Sequence, residues 1–295
     1  MKKLLLLISL LLVNIAWAED IRKSYFPGGQ LSSEAVYVNG KMEGPYSDYH
    51  KNGNYQSTGQ YSNDEMSGSW RFFAKDGSLV EEGTFIKGKM EGPYSDYHKN
   101  GNYESIGQYL NNKETGSWRF FAKDGSLVEE GTYVNGKTDG MWTFYLKSQQ
   151  QKRAIFEVVQ FKDGLEDGIA ATFYPSGAVR CKTSYVDGVL EGTRQSFYPD
   201  GNIRVQHTYK NGKLHGKGHA WSKEGQLVVQ FTDVNGKEKE RERVFYDGLT
   251  EHQAWDLLDL SKVEDERGSN NHDRWLVLFP CGDDGWTDED LFDDL

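Results

Sequence analysis

The chain has 295 residues, 33 of them glycine, with 37% hydrophobic residues and a formal net charge of −11 at pH 7. Phosphate backbones and anionic lipid repel an acidic chain, so this charge argues against nucleic-acid binding and favours a soluble protein or a basic partner. The low hydrophobic content and the many glycines predict a thin structure with a modest core.

The first eighteen residues predict a cleaved secretory signal peptide. Lys2 and Lys3 precede an apolar run, Leu4 to Val13, and Ala16-Trp17-Ala18 forms an A-x-A processing site. The run is shorter than the roughly twenty apolar residues that a membrane anchor needs, and no Cys stands at the cleavage site for lipid attachment. We therefore expect a periplasmic or secreted protein, with a mature charge of −13 once the two lysines are removed.

From Tyr37 onward the chain repeats with a period of 24 residues. In each unit an aromatic residue is followed seven positions later by glycine and twelve positions later by a second aromatic residue. The first aromatic positions are Tyr37, Tyr61, Phe85, Tyr109, Tyr133, Phe161, Tyr185 and Tyr209, with a four-residue insertion around Ser148 to Lys152. A fixed period of this length indicates repeats that bury their apolar faces by stacking on one another.

Ten Asn-Gly and Asp-Gly pairs mark turns of the repeat, which has two turns in each unit. They are Asn39-Gly40, Asn52-Gly53, Asp76-Gly77, Asn100-Gly101, Asp124-Gly125, Asn135-Gly136, Asp163-Gly164, Asp187-Gly188, Asp200-Gly201 and Asn211-Gly212. Such pairs favour type I′ hairpin turns, because both central residues need positive φ. Two strands of about six to eight residues then fit between the turns. The predicted fold is all-β, an elongated single-layer antiparallel meander of β-hairpins.

The same spacing predicts which residues face each other across a hairpin. Aromatic residues are expected opposite glycines in the pairs Tyr46–Gly59, Trp70–Gly83, Tyr94–Gly107, Trp118–Gly131 and Phe231–Gly218. Where the aromatic residue is absent, Ala170 faces Thr183 and Arg194 faces His207. A valine at Gly83 or Gly131 is therefore expected to clash with Trp70 or Trp118.

The unit Y-x-N-G-x-x-x-G-x-W-x-x-F-x-x-x-G, seen as YVNGKTDGMWTFY at Tyr133 to Tyr145, resembles the MORN repeat. It is closer still to the bacterial variant in chains labelled YwqK-family antitoxins. The resemblance covers about Tyr37 to Thr232, with a half unit at Tyr25 to Ala35 and a decayed unit at Asp233 to Gly248. It implies about eight to nine hairpin repeats that bind protein partners or, in some relatives, lipid.

Combined with the export signal, the resemblance implies a non-enzymatic protein that binds another protein through its aromatic-rich sheet. One version is an immunity protein, or antitoxin, that neutralises a toxin in the periplasm. The alternative is an envelope scaffold that contacts lipid or peptidoglycan. Repeats of this kind serve many functions, so the motif alone leaves both open.

The sequence contains no recognisable catalytic or metal-binding constellation. His50 and His98 occupy the same repeat position, and His215 and His219 of HGKGH have no third ligand nearby. No phosphate-binding glycine loop and no nucleophile motif occur. We therefore expect neither an enzyme nor a bound cofactor.

A copied stretch supplies the predicted partner-binding positions. KMEGPYSDYHKNGNY occurs at Lys41 to Tyr55 and again, unchanged, at Lys89 to Tyr103. Its aromatic residues and glycines occupy positions that most units share. The polar residues outside those positions are the predicted binding residues: Ser47, Asp48, His50, Ser95, Asp96 and His98.

After Gly248 the repeat pattern stops, so the predicted domains are 1–18, 19–248 and 249–295. Lys237 to Tyr246 alternates in charge, which indicates a solvated edge strand that caps the repeats. In the small α/β C-terminal extension, LTEHQAWDLLDLSKVEDE predicts a short amphipathic helix, and Arg274 to Pro280 predicts a buried strand.

The acidic tail, Asp283 to Leu295, has two interpretations. It is either a solvated segment or a docking segment in which Trp286, Leu291 and Phe292 anchor a toxin or effector with a basic surface. Calcium binding is a third option, but the acid spacing does not fit an EF-hand loop. Cys181 and Cys281 form either a disulfide or two isolated thiols.

Overall fold

The computed structural model describes residues 20–146, 154–235 and 237–243. These residues form twenty β-strands and no helix. The predicted all-β antiparallel meander of hairpins is confirmed. The predicted signal peptide, the C-terminal helix and strand, and the acidic tail lie outside the described residues.

The chain divides into two units between Tyr94 and Ser95. The strands of the first unit are β1 (Asp20–Tyr25), β2 (Leu31–Val38), β3 (Lys41–Tyr49), β4 (Tyr55–Ser62), β5 (Glu65–Phe73), β6 (Leu79–Ile86) and the greater part of β7 (Lys89–Tyr97). From β1 to β6 each strand pairs antiparallel with the next, as a meander of hairpins requires.

The second unit continues the pattern. Its strands are β8 (Tyr103–Leu110), β9 (Lys113–Phe121), β10 (Leu127–Val134), β11 (Lys137–Leu146), β12 (Ala154–Lys162), β13 (Leu165–Phe173), β14 (Val179–Val186), β15 (Val189–Phe197), β16 (Ile203–Lys210), β17 (Lys213–Leu214), β18 (Gly216–Trp221), β19 (Leu227–Val234) and β20 (Lys237–Arg243). Strands β17 and β18 both pair with β16 and together take the place of one strand. The charged strand β20 pairs with β19.

Two kinds of turn alternate along the chain. In the first kind both central residues have positive φ, as at Asn39-Gly40 with 52° and 79°. Asn63-Asp64 and Asn111-Asn112 keep this geometry without glycine, since Asn and Asp tolerate the left-handed region. These turns have the predicted type I′ geometry.

The prediction of type I′ turns is wrong at the other Asn-Gly and Asp-Gly pairs. At Asn52-Gly53 only the glycine has positive φ, and its N–H donates to the carbonyl of His50 at 2.9 Å. The same loop recurs at Asp76-Gly77, Asn100-Gly101, Asp124-Gly125 and Asp200-Gly201. The acidic or amide side chain serves a different purpose here, because its oxygen accepts the backbone N–H two residues on, as Asp76 does from Ser78 at 3.1 Å.

The predicted cross-strand register is nevertheless confirmed at the pairs that the structure describes. They are Tyr46–Gly59, Trp70–Gly83, Trp118–Gly131, Ala170–Thr183, Arg194–His207 and Gly218–Phe231. The loop is longer than a two-residue turn, and a one-residue bulge beside it compensates for the difference. In the first unit this bulge lies between Asp48, which pairs with Ser57, and Tyr49, which pairs with Tyr55, so the rest of the hairpin keeps the predicted register.

A larger bulge, which the spacing does not predict, lies at the glycine seven positions after each first aromatic residue. Between β4 and β5, Thr58 pairs with Arg71 but Gln60 pairs with Ser67, so residues 68–70 stand against Gly59 alone. Gly68 has a φ of 68°, which explains why glycine is needed there. The bulge recurs at Gly44, Gly116, Gly140, Gly168 and Gly192.

The bulge places each tryptophan ring on the glycine of the preceding strand. A Cβ added to Gly59 would overlap the ring of Trp70, and the same holds for Gly107 with Trp118 and Gly131 with Trp142. Trp70 is 2% exposed, and its indole N–H donates to the carbonyl of Gln60 at 3.1 Å. Equivalent hydrogen bonds join Trp118 to Gln108 and Trp142 to Thr132. We call the sheet face that carries these rings the Trp face.

This packing corrects the expected clashes. Gly83 lies opposite Trp70, but the atom nearest to an added Cβ is Cδ2 of Tyr94 at 3.5 Å, which is an ordinary contact. Gly131 is covered by Trp142 and not by Trp118. The tryptophan that leaves no room for a side chain at a glycine therefore comes from the bulge on the next strand of the chain, not from the preceding strand.

Gly59→Ala is expected to destabilise the protein more than Gly83→Ala. The new methyl group at Gly59 must displace the Trp70 ring, which costs on the order of 1–3 kcal/mol in free energy of unfolding. Gly83→Ala is the matched control and is expected to stay within about 0.5 kcal/mol of the wild type. Urea unfolding monitored by tryptophan fluorescence measures both, and equal losses would contradict the packing described.

Candidate binding surface

The copied stretch forms the same loop in both units. In the first unit the rings of Tyr49 and Tyr55 stack with centroids 5.0 Å apart, and in the second unit Tyr97 and Tyr103 also lie 5.0 Å apart. Tyr55 is 47% exposed and Tyr103 is 46% exposed. We call residues 49–55 and 97–103 the tyrosine loops. A large exposed ring with a polar hydroxyl is the kind of group that protein interfaces favour.

Polar side chains hold each tyrosine loop against the hairpin that follows it. His50 Nε2 lies 2.9 Å from the carbonyl of Phe73, and Asn52 Nδ2 donates to the carbonyl of Lys75 at 2.6 Å. His98 Nε2 lies 2.7 Å from the carbonyl of Phe121 in the second unit. The predicted binding residues His50 and His98 therefore position the loop, and their contact with a partner stays a prediction.

The structure does not bring the other predicted binding residues together on one surface. Asp48 follows Tyr46 by two positions and so lies on the Trp face, where it accepts a hydrogen bond from Ser57 Oγ at 2.7 Å. Ser47 lies on the opposite face by the same alternation. Ser95 and Asp96 repeat this separation, and one oxygen of Asp96 is buried without a hydrogen bond.

The most exposed aromatic residues of the loops, Tyr55 and Tyr103, are not among the predicted binding residues. Both stand at the repeat position that Leu79, Leu127 and Ile203 occupy in other units, so the sequence assigns them an ordinary apolar strand position. An aromatic residue in a strand usually packs in the core, so no sequence pattern marks these two as exposed. Trp286, Leu291 and Phe292 of the predicted docking segment lie outside the described residues.

A second polar group lies on the Trp face of the second unit, where the tryptophans have ended. Arg194 faces His207, and its Nη1 donates to the hydroxyl of Tyr209 at 3.3 Å. All three residues are buried, with Arg194 only 7% exposed. We call them the arginine cluster. Burial, with the Arg194 charge acting in the same direction, lowers the pKa of His207 to about 4, so this imidazole is neutral at pH 7.

Glu157 is a buried acid on the same face, with 4% of its surface exposed. It pairs with Phe144 on one side and Thr172 on the other. Burial, followed by the nearby charge of Glu166, raises the pKa of Glu157 to about 8. A carboxyl in a buried site is neutral at pH 7 for this reason, and such a group is as consistent with a structural role as with a functional one.

Within the described ranges, no three His, Cys, Asp or Glu side chains are placed to hold a metal ion. Over the same residues no helix has the length and apolar character needed to cross a bilayer. Cys181 is buried on the Trp face, whereas Cys281 lies outside the described residues, so the disulfide stays a prediction.

Six segments of the chain match family models of MORN repeats. The MORN repeat variant matches residues 21–39, 42–63, 90–111, 114–135 and 190–211, and the MORN repeat matches residues 208–226. The matched segments lie in several of the hairpin repeats, are similar to MORN repeats and together cover less than half of the chain. No curated protein matches the chain in sequence.

Three solved structures show a weak likeness to the chain. TcdB2-TccC3 without its hypervariable C-terminal region is 10% identical with a TM-score of 0.20, over 75% of this chain and 14% of that one. A porin-like protein from Bacteroides uniformis is 10% identical with a TM-score of 0.16, over 75% and 92%. A protein of unknown function from Bacteroides fragilis is 9% identical with a TM-score of 0.12, over 50% and 96%. At these TM-scores the likenesses support no conclusion about this chain.

His50→Ala is expected to loosen the first tyrosine loop. The substitution removes the hydrogen bond to Phe73, which contributes about 1 kcal/mol of unfolding free energy. Hydrogen exchange at the backbone amides of residues 49–55 should accelerate. Lys51→Ala is the matched control, because Lys51 is an exposed residue of the same loop. Exchange that is as slow in His50→Ala as in the control would show that the hydrogen bond does not hold the loop.

Glu157→Gln is expected to remove a pH dependence of stability. The folded-state pKa of about 8 lies above the unfolded value of 4.5, so the contribution of Glu157 is present below pH 4.5 and is lost as the pH rises to 8. His207 acts in the opposite direction, but only below its unfolded pKa of 6.5. Between pH 6.5 and 8 the wild type should therefore lose ~2 kcal/mol relative to the variant, at about 1.4 kcal/mol per pH unit.

Urea unfolding at pH 6.5 and pH 8 measures this difference. A difference between wild type and Glu157→Gln that is the same at both pH values would mean that the pKa of Glu157 is not raised in the folded protein.

Proposed function

We propose that the chain is a non-enzymatic protein that binds another protein through its two tyrosine loops. The observation that carries the proposal is a closely packed tyrosine pair with one half-exposed ring, which occurs with the same 5.0 Å centroid distance in both units. The aromatic rings of the Trp face are covered by their own neighbours, so they offer a partner little surface. The tyrosine loops instead present large rings to solvent.

The loops are suited to binding because they are already ordered. His50 and Asn52 bond to carbonyls of the next hairpin, and Asn54 Nδ2 adds a bond to Lys75 at 2.9 Å. A partner therefore gains the contact area of the tyrosine rings without having to order the loop first. Tyrosine also has few rotatable bonds, which keeps the entropy cost of its own immobilisation low.

The partner that we propose is a toxin or effector with a basic surface, neutralised in the periplasm. MORN repeats commonly mediate protein or membrane binding. The predicted signal peptide supports export, and the net charge of −11 favours a partner of opposite charge. In this proposal the chain is an exported immunity protein, similar to the YwqK-family antitoxins in its repeats but not in its compartment.

The experiment incorporates a photo-crosslinking amino acid in cells at position 55, 103 or 25. Tyr25 is the matched control, because it is an exposed tyrosine outside the loops. We expect the same partner to be captured from positions 55 and 103 and not from position 25. With that partner purified, Tyr55→Ala combined with Tyr103→Ala should weaken binding at least about tenfold, while Tyr25→Ala stays within about twofold. Capture from all three positions alike would contradict the proposed surface.

The immunity role is tested separately. Cells that lack the gene should become sensitive to a toxin encoded beside it, and the double tyrosine variant should fail to protect them. Normal resistance of the deletion strain would reject the immunity role and leave the binding surface to be judged by crosslinking alone.

An envelope scaffold is the second candidate, and one observation favours it. Beside the type I′ turns of the second unit, exposed lysines pair with exposed apolar residues, as in Lys113 with Leu110 and Lys137 with Val134. Such a stripe suits an anionic surface. Co-sedimentation with anionic liposomes and with peptidoglycan sacculi tests it, and protein that remains entirely in the supernatant would reject the scaffold.

A further inference from the structure

A short acid stands on the Trp face of the first unit where the next repeat has a phenylalanine. Asp48 occupies the repeat position of Phe72. Its direct cross-strand neighbours are Ser33 and Ser57, so three short side chains follow one another across β2, β3 and β4. The ring of Tyr46 precedes Asp48 by two positions on the same face. Because short side chains lie beside a large ring, the face is recessed here. We call Ser33, Tyr46, Asp48 and Ser57 the acid recess.

Among the described residues, the Asp48 carboxylate has a hydrogen-bond donor but no cation. Its Oδ1 accepts the hydroxyl of Ser57 at 2.7 Å. None of the ion pairs formed between described residues includes Asp48. The residue is partly exposed, so a cation from solution can approach it. A negative charge at the surface of the recess therefore attracts a positively charged group.

Tyrosine rings adjoin the recess. The rings of Tyr46 and Tyr61 meet edge to face with centroids 5.1 Å apart. Burial, followed by the charge of Asp48, raises the pKa of both hydroxyls, as expected of an acid close to both rings. The ring of Tyr37 already holds a cation, since the guanidinium of Arg22 lies 4.1 Å from its centroid. Aromatic faces attract cations, so the rings and the carboxylate favour the same kind of ligand.

The second unit repeats the acid at the same position. Asp96 stands where the next repeat has Phe120, and Ser105, which pairs with Phe120, is 4% exposed. One oxygen of Asp96 is buried without a hydrogen bond. A buried carboxylate oxygen that lacks a donor is destabilising unless a ligand supplies one. The second copy therefore points to a donor-bearing cation independently of the first.

The polar groups of the recess decide which cation fits. An ammonium group has three N–H donors, and the carboxylate of Asp48 and the oxygens of Ser33 and Ser57 are acceptors. A quaternary ammonium has no N–H to donate. A metal ion needs more ligands, and no three His, Cys, Asp or Glu side chains converge within the described ranges. An alkyl chain attached to the ammonium gains a large apolar surface in the ring of Tyr46.

We propose that the acid recess binds a primary alkylammonium group. The ammonium donates to the Asp48 carboxylate and to the serine oxygens, and its alkyl chain lies against Tyr46. A lysine side chain of a protein and a free amine share this head group. The recess contains no residue of the tyrosine loops, and its test needs no partner protein. A failure of the proposed binding function would therefore not affect the result.

The first measurement follows the backbone amides of the isotope-labelled full chain by NMR. The chain is titrated with n-butylammonium chloride and with Nα-acetyl-lysine methylamide, against sodium chloride at equal ionic strength. We expect saturable shifts at the residues of the acid recess. Shifts with both probes would assign the site to a lysine of a protein, and shifts with n-butylammonium alone would assign it to a free amine. No saturable shift with either probe would overturn the proposal.

Asp48→Asn removes the charge and keeps the size of the side chain. The variant should bind n-butylammonium at least about tenfold more weakly, because a charge-assisted hydrogen bond is lost. Glu65→Gln is the matched control, since it removes the same charge from an exposed position of the first unit. It should stay within about twofold of the wild type. Equal weakening by both substitutions would show that net charge, and not the recess, attracts the amine.

Two further tests separate the recess from a general aromatic surface. Asp48→Phe fills the recess with the side chain that the next repeat carries as Phe72, so the variant should keep a cooperative unfolding transition and lose n-butylammonium binding. Tetramethylammonium, which has the charge but no N–H, should bind the wild type at least about tenfold more weakly than n-butylammonium. Undiminished binding in folded Asp48→Phe, or equal binding of the two cations, would overturn the proposal.

Discussion

The contact on which the first unit and the start of the second depend is a tryptophan ring lying flat on a glycine of the neighbouring strand. Only glycine leaves room for the ring, and only the bulge with its left-handed glycine turns the ring onto it. The indole N–H then reaches the backbone carbonyl beside the covered glycine. In the described part of the chain, large apolar rings are thus buried between a strand of their own sheet and neighbouring rings, as Trp70 is by Tyr61 and Phe85.

This dependence explains the motif G-x-W and its loss. After Trp142 the tryptophan position is occupied by Ala170 and then by Arg194, while the covered glycine becomes Val159 and Thr183. The tryptophan position and the glycine position therefore change together. A smaller side chain on the bulge needs a larger one opposite it to fill the space. At Arg194 the exchange introduces a charge, so packing on this part of the Trp face depends on electrostatics as well as on shape.

The sequence predicts the parts of the fold that depend on local chemistry. The period, the hairpin order, the type I′ turns and the register of pairs such as Trp70 with Gly83 follow from spacing and from the φ preferences of Asn and Gly. The bulge at Gly68 does not follow, because a glycine that adopts positive φ and a glycine that leaves space look the same in a sequence. The ring that covers Gly59 could not be assigned without knowing that bulge.

The candidate site shows the same limit more clearly. The duplication of the tyrosine loops is visible in the sequence, but His50 acts through a carbonyl 23 residues away, which no local pattern reveals. Because that hydrogen bond orders the first tyrosine loop, the exposed tyrosine is not needed for folding, in contrast to the side chains of the Trp face. Side chains of the Trp face are buried in the sheet packing, so substituting them lowers stability whether or not they contact a partner. The rings of Tyr55 and Tyr103 are held out by a polar framework that does not need them, so selection on these positions can act on binding with little cost to the fold.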